Sequence, residues 1–370
     1  MSGTTAAERE DLRRSVRDLL DRHAGDAARS TAIDSELGHD PRLWSRLAEL
    51  GATALSIPEE LGGAGYGAVE QSVVLEELGR SLACTPFLGT VVLAGSALAA
   101  VGGASAQEHL AGIAEGSTTA ALALAEDDGR WRTSGFATTG DRMPDGWRLT
   151  GAKTLVADGA DADLIVVAAE TSVGPSLFLV TGSEGVERTR LRTLDLTRRM
   201  ASITLDAAPA ELLGTAGEAE RVLEAVLDAA MVALAAEQVG AARACLEASV
   251  SYAKERVQFG RQIGSFQAVK HRCADMFAKV QLASAASAEA AQAVDEADDP
   301  GRARVAAAVA HLVCSEAAMT TATENIHVHG GIGFTWEHAA HHYFRRAKAS
   351  QLLLGGPAVA SERLLSRLGV

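Results

Sequence analysis

The chain has 370 residues, 34 Lys+Arg against 48 Asp+Glu, and a formal charge of −14. That length exceeds what one compact core usually supports and predicts two or three domains, and the net acidity argues against a nucleic-acid partner, whose phosphates need a basic surface. Four scattered cysteines, Cys84, Cys245, Cys273 and Cys314, form no CxxC pair and fit a reducing compartment.

The N-terminal stretch is charged at helical spacing and does not read as a signal peptide. Residues 1–117 read as a helical domain. Leu43, Trp44, Leu47 and Leu50 recur at helical spacing after Asp40-Pro41, and Gly51 supplies a stop. A Pro/Gly loop follows, then helices over about 69–82 and 91–101. Between 118 and 215 the pattern changes to short apolar or alternating runs: TTAALALA, GWRLTGAKTLV, DLIVVAA, SLFLV and SITLDA. These predict a small β-barrel or sandwich. From 216 to 370 the chain reads as a helical bundle, with helices over 218–255, 265–294, 302–327, 336–353 and 357–368. The acidic DEADDPG segment at 295–301 reads as a solvated turn. Apolar runs such as 229–236 fall short of the roughly 18 residues of a spanning helix. A cytoplasmic protein without a membrane partner is expected.

Two segments offer chemistry. Arg256 falls at a helix end beside Phe259 and Gly260. It is either an ordinary cation favoured by the helix dipole or a guanidinium that clamps a phosphate. Gly330, Gly331 and Gly333 follow a helix at His329; they let a backbone approach a ligand or simply form a tight turn. His338 and His342 stand four apart on a predicted helix, yet no carboxylate-and-cysteine set completes a metal site, and none is expected.

The α–β–α order, PEELGG at 58–63, VVLEELGR at 73–80, YAKERVQFGRQIGSFQ at 252–267 and HGGIGFTWEH at 329–338 together resemble the acyl-CoA dehydrogenase family over nearly the whole chain. The resemblance implies an α+β multidomain fold: a helical N-terminal domain, a middle β-barrel and a C-terminal four-helix bundle. It also implies FAD as cofactor, an acyl-CoA substrate, and oligomers built by bundle packing. Family members remove an α proton with a carboxylate while the β hydride passes to the flavin.

Measured against that family, the chain has lost its own chemistry. The two usual base positions hold Leu354 and Ala230, neither of which accepts a proton, so no catalytic residue is assigned. The family's T-E-P-x-x-G-S-D loop corresponds to residues 125–129, mostly altered, and its W-I/V-T strand reads Leu155-Val156-Ala157. What persists is the set that reaches across an interface to a neighbour's FAD: Arg256, Phe259, Gly260, Gly330 and Gly331, with His327 in place of the family's Gln. This one-sided loss implies the base-lacking partner in a heteromeric α2β2 acyl-CoA dehydrogenase. Three alternatives stand beside it. One is a homo-oligomeric dehydrogenase with its base relocated to Glu237, seven residues beyond Ala230 and about 10 Å further along the helix. The others are a flavin-dependent monooxygenase on the same fold and a purely structural partner.

Overall fold

The computed structural model describes residues 4–296 and 299–369. The chain opens with helix α1 (Ala6–His23), started by a Thr5/Glu8 capping box, and α2 (Asp26–Asp34). Helix α3 (Pro41–Glu49) follows the expected spacing: Asp40 caps it, Pro41 occupies the first turn, and Leu43, Trp44 and Leu47 are buried. Helix α4 (Ala68–Ser81) is buried along most of its length. The next helix starts earlier than its sequence pattern, as a π-helical stretch over Leu88–Gly95, before α5 (Ser96–Val101) and α6 (Ala104–Ala114).

Seven strands form one closed sheet: β1 (Ala120–Ala123), β2 (Thr139–Met143), β3 (Gly146–Ala157), β4 (Leu164–Thr171), β5 (Gly174–Val180), β6 (Val186–Arg190) and β7 (Met200–Leu213). The ring runs β4-β2-β3-β7-β5 and returns to β4, closed where Thr139 pairs with Glu170. β1 lies parallel to β4, and β6 pairs with the first half of β7. Alternation explains the continuous apolar run of β4. Leu164, Val166 and Ala168 face the core shared with the helices, while Ile165, Val167 and Ala169 fill the barrel interior. The polar, mostly exposed β2 and β6 have no such pattern and are not legible as strands.

Helix α7 (Ala219–Glu255) begins the C-terminal bundle and spans about 55 Å. A two-strand hairpin, β8 (Val257–Gln258) and β9 (Arg261–Gln262), links it to α8 (Gln267–Glu296); α9 (Pro300–His329), α10 (Ala340–Leu352) and α11 (Gly356–Leu368) complete the set. By length and composition α9 passes for a spanning helix, against the expectation that no segment would, but it packs between α7, α8, α10 and α11. Helices α4 and α7 touch backbone to backbone. A Cβ on Gly79 would come within 2.0 Å of the Glu237 carbonyl, and one on Gly240 within 1.8 Å of the Glu76 carbonyl.

Two details depart from the sequence pattern. Residues 336–339 are not helical, so His338 and His342 do not share a helix face; the His338 ring instead lies tilted against His329, with centroids 4.4 Å apart. Within DEADDPG, Asp295 is no solvated turn residue. Its carboxylate accepts from the backbone N–H groups of Ala68 (2.6 Å) and Val69 (2.9 Å), capping α4. Residues 297–298 of that segment lie outside the described residues.

Candidate cofactor-contact site

The end of α7 turns through a tight hairpin. Val257 pairs with Gln262 and Gln258 with Arg261, leaving Phe259 and Gly260 as the two-residue turn. Their φ angles are +54° and +74°, the double left-handed geometry of a type I′ turn. Glycine adopts this freely, but a phenylalanine there is strained. Phe259 is also 92% exposed, so the strain is not offset by burial in this chain. Its ring meets Phe266 edge-on at 6.1 Å, and the Arg261 guanidinium lies 4.1 Å over Phe266. Arg256, at the C-cap of α7, is exposed and forms no ion pair among the described residues.

Residues of the second segment lie at the same end of the bundle. Tyr252 of α7 stacks on His329 of α9 at 4.4 Å, and Arg272 of α8 approaches Nδ1 of His327 at 3.3 Å while pairing with Glu324. Gly330 takes φ +64°, and neither Gly330 nor Gly331 has a neighbour near its missing Cβ. Ile332, Phe334 and Trp336 beyond it are exposed. The two segments thus lie at the same end of the bundle, and the six candidate residues are exposed: a guanidinium without an ion pair, an imidazole, an aromatic ring and bare backbone. Chemically, such groups suit a phosphate and a flat ring system.

The positions that match the family's bases are enclosed instead. Ala230 and Leu354 are 0% and 2% exposed and belong to one apolar core. Leu155 sits at φ +51° beside a bulge in β3, lining an apolar cavity of about 220 Å³ with Leu194, Met200, Leu352 and Leu353. No aromatic wall and no hydroxyl stand at that strand position to carry an isoalloxazine. In the altered loop, Glu126 turns inward. Burial raises its pKa, but the N–H groups of Ala137 and Thr138 and the buried Lys153 ammonium outweigh that and hold it at about 2. Asp128 pairs with Arg130 and Arg132.

Glu237 is enclosed. Its carboxylate accepts from Arg198 at 2.7 Å and Arg346 at 2.5 Å, and Arg346 also pairs with Asp195 at 2.7 Å. All four side chains are buried. Burial opposes the charge on Glu237, yet Arg198 and Arg346 together hold its pKa below the usual carboxylate value. A carboxylate clamped this way does not collect a substrate proton. Gln238, its sequence neighbour, makes the ordinary bundle contact, donating to Ser315 at 3.0 Å. Sequence reasoning missed Asp195, Arg198 and Arg346, because lone charges dispersed over 150 residues carry no local signal. Among the described residues, no group of three His, Cys, Asp or Glu side chains is placed to hold a metal ion.

The model for the N-terminal domain of acyl-CoA dehydrogenases matches residues 6–117, and the model for their C-terminal domain matches 217–369. The chain belongs to the acyl-CoA dehydrogenase family. Acyl-CoA dehydrogenase IpdE2 of Mycobacterium tuberculosis is 39% identical over 366 residues, covering 99% of this chain and 98% of that one. The ChsE4-ChsE5 complex from Mycobacterium tuberculosis superimposes with a TM-score of 0.90 at 33% identity, covering 100% and 99% of the two chains. The steroid acyl-CoA dehydrogenase Tcur3481-Tcur3483, in the form of a single-residue variant, gives 0.89 at 34% identity over 99% of each. The family is one of FAD-dependent oxidoreductases acting on acyl-CoA, and the expected fold of helical domain, closed sheet and bundle is the family's own.

Proposed function

We propose that this acyl-CoA dehydrogenase chain is the base-lacking subunit of a heteromeric enzyme, sharing FAD across the interface with a base-bearing partner in α,β-dehydrogenation of a CoA thioester. The carrying observation is that Ala230 and Leu354 lie in apolar core while Glu237 is locked between two arginines. Likeness to two-component proteins named ChsE4-ChsE5 and Tcur3481-Tcur3483, the latter called a steroid dehydrogenase, supports both the partner and a steroid-derived acyl group.

In this reading Arg256 holds the cofactor's pyrophosphate, and Phe259 and Gly260 pack on its adenine side. His327, Gly330 and Gly331 meet the adenosine. FAD, when bound, supplies the acceptor for the β hydride; the partner supplies the base and the flavin's stacking wall. The test is purification of the chain alone and with a base-bearing family member. Alone it carries little FAD and does not dehydrogenate acyl-CoA; together the two carry flavin and turn over. A lone chain that is stoichiometrically yellow and active sinks the proposal.

A further inference from the structure

Helices α8 and α9 meet beside the candidate cofactor contact through three side chains. Glu324 and His327 stand three apart on α9 and so share one of its faces, and Arg272 of α8 reaches both. One hydrogen on Nη1 of Arg272 serves its ion pair with Glu324; the same nitrogen faces Nδ1 of His327 at 3.3 Å with the other. Arg272 and His327 are half exposed, Glu324 less.

This contact fixes the state of the imidazole. A guanidinium stays protonated and only donates, so the ring nitrogen it faces must offer a lone pair. Glu324 lies 3.5 Å from the same Nδ1, longer than an ordinary hydrogen bond, and its nearer oxygen is already taken by Arg272. The neutral ring therefore carries its hydrogen on Nε2, the nitrogen further from the backbone, which has no hydrogen-bond partner among the described residues.

Position 327 is also where the chain departs from the family's Gln. A Gln tip holds a donor and an acceptor and can turn to present either, whereas an imidazole fixed at Nδ1 presents a donor alone. We infer that Arg272, braced by Glu324, is a positioning residue. It holds His327 as an Nε2–H donor for a bare acceptor on the adenosine, a purine ring nitrogen or a ribose oxygen, and does not itself touch the cofactor. This rests on the reading that His327 meets the adenosine.

Nitrogen NMR of the imidazoles in the free chain tests the positioning without any cofactor. The His327 signals, identified by their loss in His327→Gln, should show the Nε2–H form, and Arg272→Met should bring in the Nδ1–H form. An Nδ1–H ring in the parent, or a pattern that Arg272→Met leaves unchanged, overturns the inference. Flavin titration of the complex with a base-bearing family member tests the donor. His327→Ala and Arg272→Met should each weaken FAD binding by up to about ten-fold, the worth of one neutral hydrogen bond, and the double variant no more than His327→Ala alone. In His327→Gln, where no tautomer needs fixing, adding Arg272→Met should change nothing. Additive losses would make Arg272 a direct cofactor contact and refute its positioning role. Arg256→Ala, measured alongside, separates this inference from the reading beneath it. If Arg256→Ala weakens FAD binding and His327→Ala does not, the inference alone fails; if neither does, or the complex holds no flavin, the functional reading fails and the inference with it.

Discussion

Glu237 and Arg346 meet inside the protein at 2.5 Å, 109 residues apart in the chain. With Arg198 and Asp195 they join α7, α10 and the barrel loop before β7 in one buried ionic cluster. The cluster holds the one carboxylate at which the sequence leaves open a relocated base, and two guanidinium groups disfavour its protonation. It also gives the first prediction. Glu237→Gln leaves the buried Arg198 guanidinium without a carboxylate and Arg346 with Asp195 alone, so thermal and denaturant unfolding should show a loss of about 3–5 kcal/mol. If the variant unfolds like the parent while a reconstituted complex loses α-proton exchange, Glu237 is a base after all.

Asp158 gives a pH prediction. It is half-buried, one carboxylate oxygen is enclosed without a partner, and desolvation, only partly offset by Arg198 and Arg346, pushes its pKa up to about 7 from 3.8. With the folded value above the unfolded one, its contribution is complete below about pH 3.8 and is lost as pH rises through 7. Asp158→Asn, which tolerates the φ of +57° found there, removes this loss. The variant should be more stable than the parent at pH 8, with the gap narrowing towards pH 4. Its size is about 1.4 kcal/mol for each tenfold difference in proton affinity between the folded and unfolded carboxyl. A constant gap across melts at both pH values would contradict the assignment.

Arg256→Ala should weaken FAD binding in the reconstituted complex by about ten-fold to just over a hundred-fold, the worth of a charge-assisted contact to phosphate. Arg256→Lys recovers only part, since an ammonium cannot make the bidentate contact. Flavin titration is the measurement. Unchanged affinity with the complex intact would leave the exposed guanidinium without a cofactor role.

Phe259 is strained and exposed together, which separates fold from assembly. Phe259→Gly relieves a left-handed backbone at the expense of chain entropy, so the isolated chain should keep its stability or gain up to about 1 kcal/mol. Affinity for the partner subunit should fall, because no ring remains to fill the interface. Analytical ultracentrifugation of the mixed chains reads this; equal assembly by parent and variant would show that the ring serves neither role.

Leu354→Glu places a carboxylate at the family's base position but inside apolar core. The expected outcome is a loss of about 2–4 kcal/mol without dehydrogenation. A carboxylate catalyses only when held at near-attack distance from substrate and flavin, and Leu155 and Ala157 provide no flavin wall. Appreciable turnover from this single change would show an intact flavin site.

The α–β–α order and the family are legible in the residues alone. Helical periodicity in α3 and α7, the double-sided apolar run of β4 and the motifs around Arg256 and Gly330 are local signals, readable over ten to twenty residues. That Leu354 and Ala230 cannot accept a proton is equally plain before folding, since residue type settles it. What surrounds those positions is set in three dimensions. Glu237 became a clamped anion because Arg198 and Arg346 arrive from distant segments. Asp295 became a helix cap because α8 ends at the start of α4. The polar strands β2 and β6 form because their backbones pair with β3, β4 and β7, not because their side chains alternate. Trp131 and Arg363, from the barrel and the last helix, line one cavity that neither segment announces. Charge pairing and burial act through space, so residues far apart in the chain acquire these roles only once the fold has brought them together.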